Sequence, residues 1–214
     1  MGEAKRKREK QRTASELGWT DAEVVLLSAD AFRACSRPFI DRVQLHGLDV
    51  KAALQEGTDD KGGMIASAVN LAFAVELYLK GLRIIHKVPT RITHELDRLY
   101  LDLPPDLRQT IEEEYGRVVV AQGQPLSLGL SISPKGTTLA QRMDLPPPPT
   151  DHTLVAVLQR SRDVFEVWRY LYEQGAPGTV TRRAYEFYFL GIAADVLRAH
   201  VKRGLEEWRA REVS

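Results

Sequence analysis

The 214-residue sequence predicts an all-α protein, a bundle of about five or six helices with one extended insert around residues 118–149. Three observations carry that expectation. The stretch Met64 to Lys87, MIASAVNLAFAVELYLKGLRIIHK, is apolar on nearly every face. A surface helix carries a narrower apolar stripe, so this one must be wrapped by others. Further on, Leu154, Leu158, Phe165, Trp168 and Tyr172 recur at three-or-four spacing, and Tyr185, Phe189, Ile192 and Val196 do the same. The period changes in one place. Leu126, Leu128, Leu130 and Ile132 alternate with Ser127, Gly129, Ser131 and Ser133, which reads as an extended segment or a small hairpin.

Taken in order, residues 1–14 form a basic tail with little to bury, and disorder is the expectation there. Residues 15–210 then make one helical-bundle domain. Thr20 with Glu23 three residues on is a capping-box arrangement, and the helix it opens runs towards Pro38 and resumes as FIDRVQLHGL. Gly47 and Asp49 break it. LQEGTDDKGG reads as a loop, with Gly57, Gly62 and Gly63 as breakers. After the long apolar helix, Pro89 closes it and Thr93 caps the short helix HELDRLYLDL. Pro104 and Pro105 open the next, because proline is tolerated in a first turn. Pro146 to Pro149 are expected in polyproline II. Asp151 caps the helix HTLVAVLQRSRDVFEVWRYLYEQG, which Gly175 and Pro177 end. The last helix is expected from Thr181 or Arg182 to Trp208.

The chain is 43% hydrophobic and 28% charged, with a formal net charge of +1, so no global field favours a membrane or a nucleic acid. The balance hides an asymmetry. Residues 1–12 carry six basic side chains, among them Lys5, Arg6, Lys7 and Arg8, against two acids, and the body is mildly acidic. Such an arm can sit on nucleic-acid phosphates, displacing counterions, or simply solubilise the chain. Cys35 is the one cysteine, which excludes an intrachain disulfide and a cysteine-built zinc site and fits a reducing compartment. No apolar h-region follows the basic start, and Arg6 stands where a myristoylation signal wants Ser or Thr. Glu76, Lys80 and Asn70 argue against lipid burial of the core helix. The expectation is a cytoplasmic protein without membrane, metal or cofactor.

Glu76 and Lys80 lie four apart with the acid first, the favourable helical order, and their neighbours Val69, Ala72 and Phe73 place the pair partly in the core. His94 at a helix start is a candidate proton carrier. His86 and His200 read as structural, His200 on the apolar stripe of the last helix. Arg162, Glu166, Arg169 and Glu173 form an alternating-sign stripe that reads as a solvated face. Arg169 is the exception, since Trp168 and Tyr170 flank it and its planar fork suits a carboxylate or phosphate. No nucleophile elbow, HExxH or glycine-rich phosphate loop occurs, and Glu112, Glu113 and Glu114 read as a surface run.

The succession AVELYLKGL, THELDRLYLDLPPDL and FEVWRYLYE before a final helix resembles the HEPN-like (higher eukaryotes and prokaryotes nucleotide-binding) helical proteins of bacteria over about residues 64–202. The resemblance implies a helical bundle, homodimerisation and a nucleic-acid or defence setting. Many members are metal-independent ribonucleases whose signature is an Arg followed four to six residues later by a His. Here Arg83 and His86 have two residues between them, as do Arg91 and His94, while Arg42 and His46 have three and Arg198 and His200 one.

The expected function is therefore a non-catalytic, RNA-associated or accessory module in bacterial defence or stress response. Its expected binding residues are Glu76, Lys80, Arg169 and the arm Lys5, Arg6, Lys7 and Arg8. One alternative is a divergent metal-independent ribonuclease using His94 or His200 with an Arg such as Arg169 on the phosphate; the other is a purely structural interaction domain.

Overall fold

In the computed structural model the long apolar stretch is a helix with core packed against most of its circumference. Leu71, Val75, Tyr78, Leu79 and Leu82 are each no more than 1% exposed. The structure describes residues 17–46, 58–89, 93–122, 129–132, 150–162, 164, 181–184 and 187–213. Within these, six helices and two strands follow one another: α1 (Trp19–His46), α2 (Thr58–Ile85), α3 (Leu96–Leu101), α4 (Pro105–Ala121), β1 (Gly129–Ile132), α5 (Leu154–Arg160), β2 (Thr181–Ala184) and α6 (Phe187–Val213). The all-α bundle expected from the periodicity is the architecture found. No helix among the described residues is long and apolar enough to cross a membrane.

α2 is the axis. α1 packs along it, α6 packs on both, α3 packs on α2 as well, and α4 and α5 pack on α6 and on each other, with α5 also against α3. Two glycines lie at the crossing of α2 with α6, and it depends on one of them. A Cβ on Gly204 would stand 2.9 Å from Cγ2 of Ile85, whereas one on Gly81 would meet Val201 at an ordinary 3.5 Å. α2 ends in a Schellman motif: Val88 N–H donates to the Arg83 carbonyl at 2.8 Å and Lys87 N–H to the Ile84 carbonyl at 3.1 Å. Lys87 takes the left-handed conformation that this motif requires, with φ 54°. Its side chain is held in compensation, 4.0 Å from the ring centroid of Trp208 and donating to the Leu17 carbonyl at 3.0 Å.

One polar clamp crosses the three long helices. Arg198 of α6 forks onto Asp30 of α1, Nε to Oδ1 at 2.7 Å and Nη2 to Oδ2 at 2.8 Å. The fully buried Tyr78 of α2 donates its hydroxyl to Asp30 Oδ1 at 2.7 Å. Burial works to raise the Asp30 carboxyl, but the hydrogen bonds from Arg198 and Tyr78, with the charges of Arg198 and Lys202, outweigh it and hold its pKa below the ordinary value. Burial and then the same carboxylate push the Tyr78 phenol up.

Local punctuation departs from expectation in several places. α1 begins at Trp19, so Thr20 lies inside it. Gly18 occupies the cap position, its N–H donating to Asp21 Oδ2 at 2.8 Å, one half of a capping box. α1 also runs through Pro38 without a break. The expected loop over LQEGTDDKGG is helical from Thr58, with Gly62 and Gly63 inside α2. Each glycine costs about 1 kcal/mol relative to alanine, less than continued packing of a long helix returns. Thr93 does not cap α3; its Oγ1 accepts from Glu95 N–H at 3.1 Å and fixes the turn before it, and Glu95 is the cap residue. Pro104 and Pro105 do open α4, but it continues to Ala121 and takes in the first four residues of the expected insert. Thr153, not Asp151, caps α5, accepting from Ala156 N–H at 3.4 Å, while Asp151 supports it by accepting from Thr153 N–H at 2.9 Å.

The period-two segment is a strand over 129–132, and it pairs antiparallel with Thr181–Ala184, with Gly129 opposite Ala184 and Ile132 opposite Thr181. The expected start of the last helix is therefore β2, and α6 begins at Phe187. The basic arm 1–14, Pro146 to Pro149, and Phe165, Trp168, Arg169 and Tyr172 lie outside the described residues.

The two glycines give opposite expectations. Gly204→Ala forces a methyl against the stiff branched side chain of Ile85 and should destabilise by about 1–3 kcal/mol. Gly81→Ala meets only ordinary contact and should be neutral or stabilising by up to about 1 kcal/mol. Urea denaturation of the two variants beside the wild type measures both.

Candidate functional site

α2 carries three polar residues into the core on successive turns, Glu76, Lys80 and Arg83, and the chain leaving α2 folds back over them. Arg83, 2% exposed, fastens that return. Its Nη1 donates to Asp102 Oδ2 at 2.7 Å just after α3, and its Nη2 donates to the Pro89 carbonyl just after α2. Leu96, Leu99 and Tyr100 bury the inner face of α3. The turn at Thr93 and Glu95 is thereby held against α2, and His94 is delivered beside Glu76.

Glu76 is 4% exposed and is the hub of the site. Lys80 Nζ donates to its Oε1 at 2.6 Å. His94 Nδ1 lies 3.0 Å from Oε1 and 3.1 Å from Oε2. A carboxylate only accepts, so Nδ1 is the ring nitrogen that carries the hydrogen. The partners reach the surface while the hub does not: the Lys80 side chain is 33% exposed and that of His94 54%. A buried carboxylate thus orients two half-exposed groups, one cationic and one capable of taking or giving a proton. This arrangement can meet an anionic ligand, and it positions an imidazole as acid–base groups are positioned.

The supporting shell uses residues whose spacing gave no warning. Asp97, 5% exposed, accepts from Arg162 at 2.5 Å (Nη2 to Oδ2) and 3.3 Å (Nε to Oδ1), tying α3 to the end of α5. Arg162 is therefore not part of a solvated face; a buried acid 65 positions earlier claims it. Glu112 is no surface residue either. It accepts from Leu154 N–H at 2.9 Å and from the Tyr100 hydroxyl at 3.2 Å, closing the N-terminus of α5 onto α3 and α4. Burial and then Glu112 push the Tyr100 phenol up.

Of the residues singled out by sequence, Glu76, Lys80 and His94 converge, and Arg169 with Lys5, Arg6, Lys7 and Arg8 lies outside the described residues. His200 is elsewhere, on α6 at 5% exposure, with Nε2 3.0 Å from Glu114 Oε2 of α4. Burial pushes its imidazole below the ordinary value; Glu114 opposes this, and Arg203 and His86 add to it. Among the described residues no group of three or more His, Cys, Asp or Glu side chains is placed to hold a metal ion.

Two measurements follow. Nitrogen-15 NMR of His94 should show the neutral ring protonated on Nδ1, and Glu76→Gln, whose amide oxygen still accepts but without the charge, should weaken that preference while costing about 1 kcal/mol of stability, read by urea denaturation. A folded-state pKa below the unfolded 6.5 makes the His200 contribution complete above that pH and lost as pH falls through the folded value. Denaturation curves from pH 8 to 5 should show stability falling below about 6.5, and His200→Gln should flatten that fall.

Comparison with protein-family models, with curated proteins and with solved structures returned no match to this chain.

Proposed function

We propose that this chain is a HEPN-like helical module that engages RNA, with Lys80 and His94 as the groups that meet a backbone phosphate and Glu76 as their buried anchor. The observation that carries the reading is the convergence of Glu76 and His94, from a helix core and a turn 18 positions later, at 3.0 Å. An ammonium and an imidazole half-exposed beside each other suit a phosphodiester, while the carboxylate behind them keeps both in place in its absence. The basic arm, with six Lys and Arg among residues 1–12, supplies the sequence-independent attraction, and the mildly acidic body makes that arm the first contact. In this reading the chain is a cytoplasmic homodimer serving as an accessory in bacterial defence or stress response.

A second reading is favoured by one specific feature, the Glu76–His94 hydrogen bond. An imidazole held by a carboxylate through Nδ1 is oriented as acid–base groups are, and in this reading His94 takes the proton of a ribose 2′-hydroxyl and later returns one to the leaving 5′-oxygen. Cleavage of this kind needs no metal, and Lys80 would stabilise the phosphorane charge.

Fluorescence anisotropy with single-stranded RNA in chelator tests the first reading. Binding should weaken linearly in log–log form with salt, and deletion of residues 1–12 should flatten that slope. Lys80→Ala and His94→Ala should each weaken binding by about three- to tenfold, the loss of one charge-assisted contact. Salt-independent binding, or none, would sink it. Incubation of the same RNA decides the second reading: metal-independent products lost in His94→Ala establish cleavage, and intact RNA with the wild type rejects it.

A further inference from the structure

Among the described residues the large apolar side chains left exposed are Val24, Leu27, Phe32, Leu101 and Val120, and three of the five stand on α1. A helix on the flank of a bundle needs one apolar stripe, the one it turns inward. α1 has that stripe in Ala22, Leu26 and Ala29, all buried. It has a second on the opposite side. Thr20, Val24, Leu27, Ala31, Ala34 and Pro38 are all exposed, and they recur at steps of four and three. That is the heptad spacing by which one helix seats against another. The row carries no charge.

The face widens towards α2. Phe32 stacks on Phe73 with ring centroids 5.2 Å apart, and Val69, Phe73 and Leu77, half-buried, stand four apart in line along α2. The row on α1 is about 27 Å long at the helical rise per residue, and the two helices side by side make the face about 20 Å wide. Two such faces laid together bury about 1,000 Å², the size at which a specific interface begins.

The order of sizes along the row identifies the occupant. Its larger side chains, Val24 and Leu27, lie towards the N-terminus of α1, and the alanines, Ala31 and Ala34, towards the C-terminus. Reversal of the helix about a point near residue 29 sets Leu27 opposite Ala31 and Val24 opposite Ala34. A face that carries both halves of its own fit is what a two-fold pair of identical chains needs, because each contact occurs twice with the roles exchanged. The lack of charge matters for the same reason, since a charge beside the axis would meet its own copy. We propose that two copies of this chain pair through the outer face of α1, the two helices antiparallel, with Leu27 and Val24 of each seated against Ala31 and Ala34 of the other. This face is the partner surface of the homodimer invoked above and rests on that part of the reading; the RNA contacts are not needed for it.

Sedimentation velocity of the full chain over a range of micromolar concentrations tests it. The wild type should sediment as two chains. Leu27→Glu and Ala34→Glu, each setting two charges against apolar surface in the pair, should sediment as one, with helical circular dichroism unchanged because both positions are exposed. Val120→Glu, at a site 81% exposed on α4, should leave the pair intact. Orientation is read from Cys35, the one cysteine. Antiparallel helices hold the two copies of Cys35 about 18 Å apart, so mild oxidation should leave the wild type without a crosslink. Val24→Cys comes opposite Cys35 of the second copy and should form one. A wild type that sediments singly overturns both this face and the homodimer. A two-chain mass kept in Leu27→Glu and Ala34→Glu overturns the face alone. A wild-type disulfide through Cys35, or no crosslink in Val24→Cys, overturns the antiparallel arrangement. Failure of RNA to bind a chain that pairs through α1 sinks the RNA reading and upholds this one.

Discussion

Burial of α2 on most of its circumference is the constraint on which the rest of the structure depends. A helix wrapped this closely leaves no solvent for its polar side chains, so each must find a partner from another element or pay desolvation. Tyr78 meets Asp30, Arg83 meets Asp102 and the Pro89 carbonyl, and Glu76 meets Lys80 and His94. Apart from Lys80, which belongs to α2 itself, those partners come from α1 and from the chain that returns after α2. The path of residues 86–102 and the orientation of α1 are thus coupled to satisfying three side chains of one helix.

The three solutions differ in what they leave at the surface. Arg83 is enclosed and its partners are a helix terminus and a backbone carbonyl, so it acts as a bolt and holds geometry for its neighbours. The Asp30 clamp joins three helices through a bidentate fork and a phenol, and its carboxyl stays ionised because donors outweigh burial. At Glu76 the hub is hidden while Lys80 and His94 reach solvent. The Asp30 clamp exposes its arginine as much as Glu76 exposes Lys80, 33% in each case, but its carboxylate is 28% exposed against 5% for Glu76. That asymmetry separates Glu76 from the other two and makes it the candidate site. The Arg33–Asp195 pair shows the inverse pattern, with a sheltered cation and an exposed acid.

How much of this was legible depended on range. The Glu76–Lys80 pair was readable because an i, i+4 relation is set by helix geometry alone, and the apolar neighbours Val69, Ala72 and Phe73 already implied its burial. The opening of α4 by Pro104 and Pro105 was readable for the same local reason. Gly62 and Gly63 misled because breaker propensity is a cost of about 1 kcal/mol, which a helix anchored at one end in a core absorbs. Thr20 misled because Gly18 and Asp21 offered an equivalent cap two residues earlier. Arg162 misled because an alternating charge stripe looks solvated until a buried acid from another helix is placed beside it.

The sequence by itself determined the all-α class, the central helix and the Glu76–Lys80 pair, since each follows from hydrophobic period or from contacts within one or two turns. Tertiary structure decided everything that depends on where the chain returns: Glu76 with His94, Asp97 with Arg162, Asp30 with Arg198, Arg33 with Asp195, and the pairing of β1 with β2 across fifty residues or so. The physical reason is that a charge or a strand edge carries no local signal of its partner. Acids and arginines are numerous enough in this chain to permit many pairings, and only packing of α1, α2 and α6 selects among them.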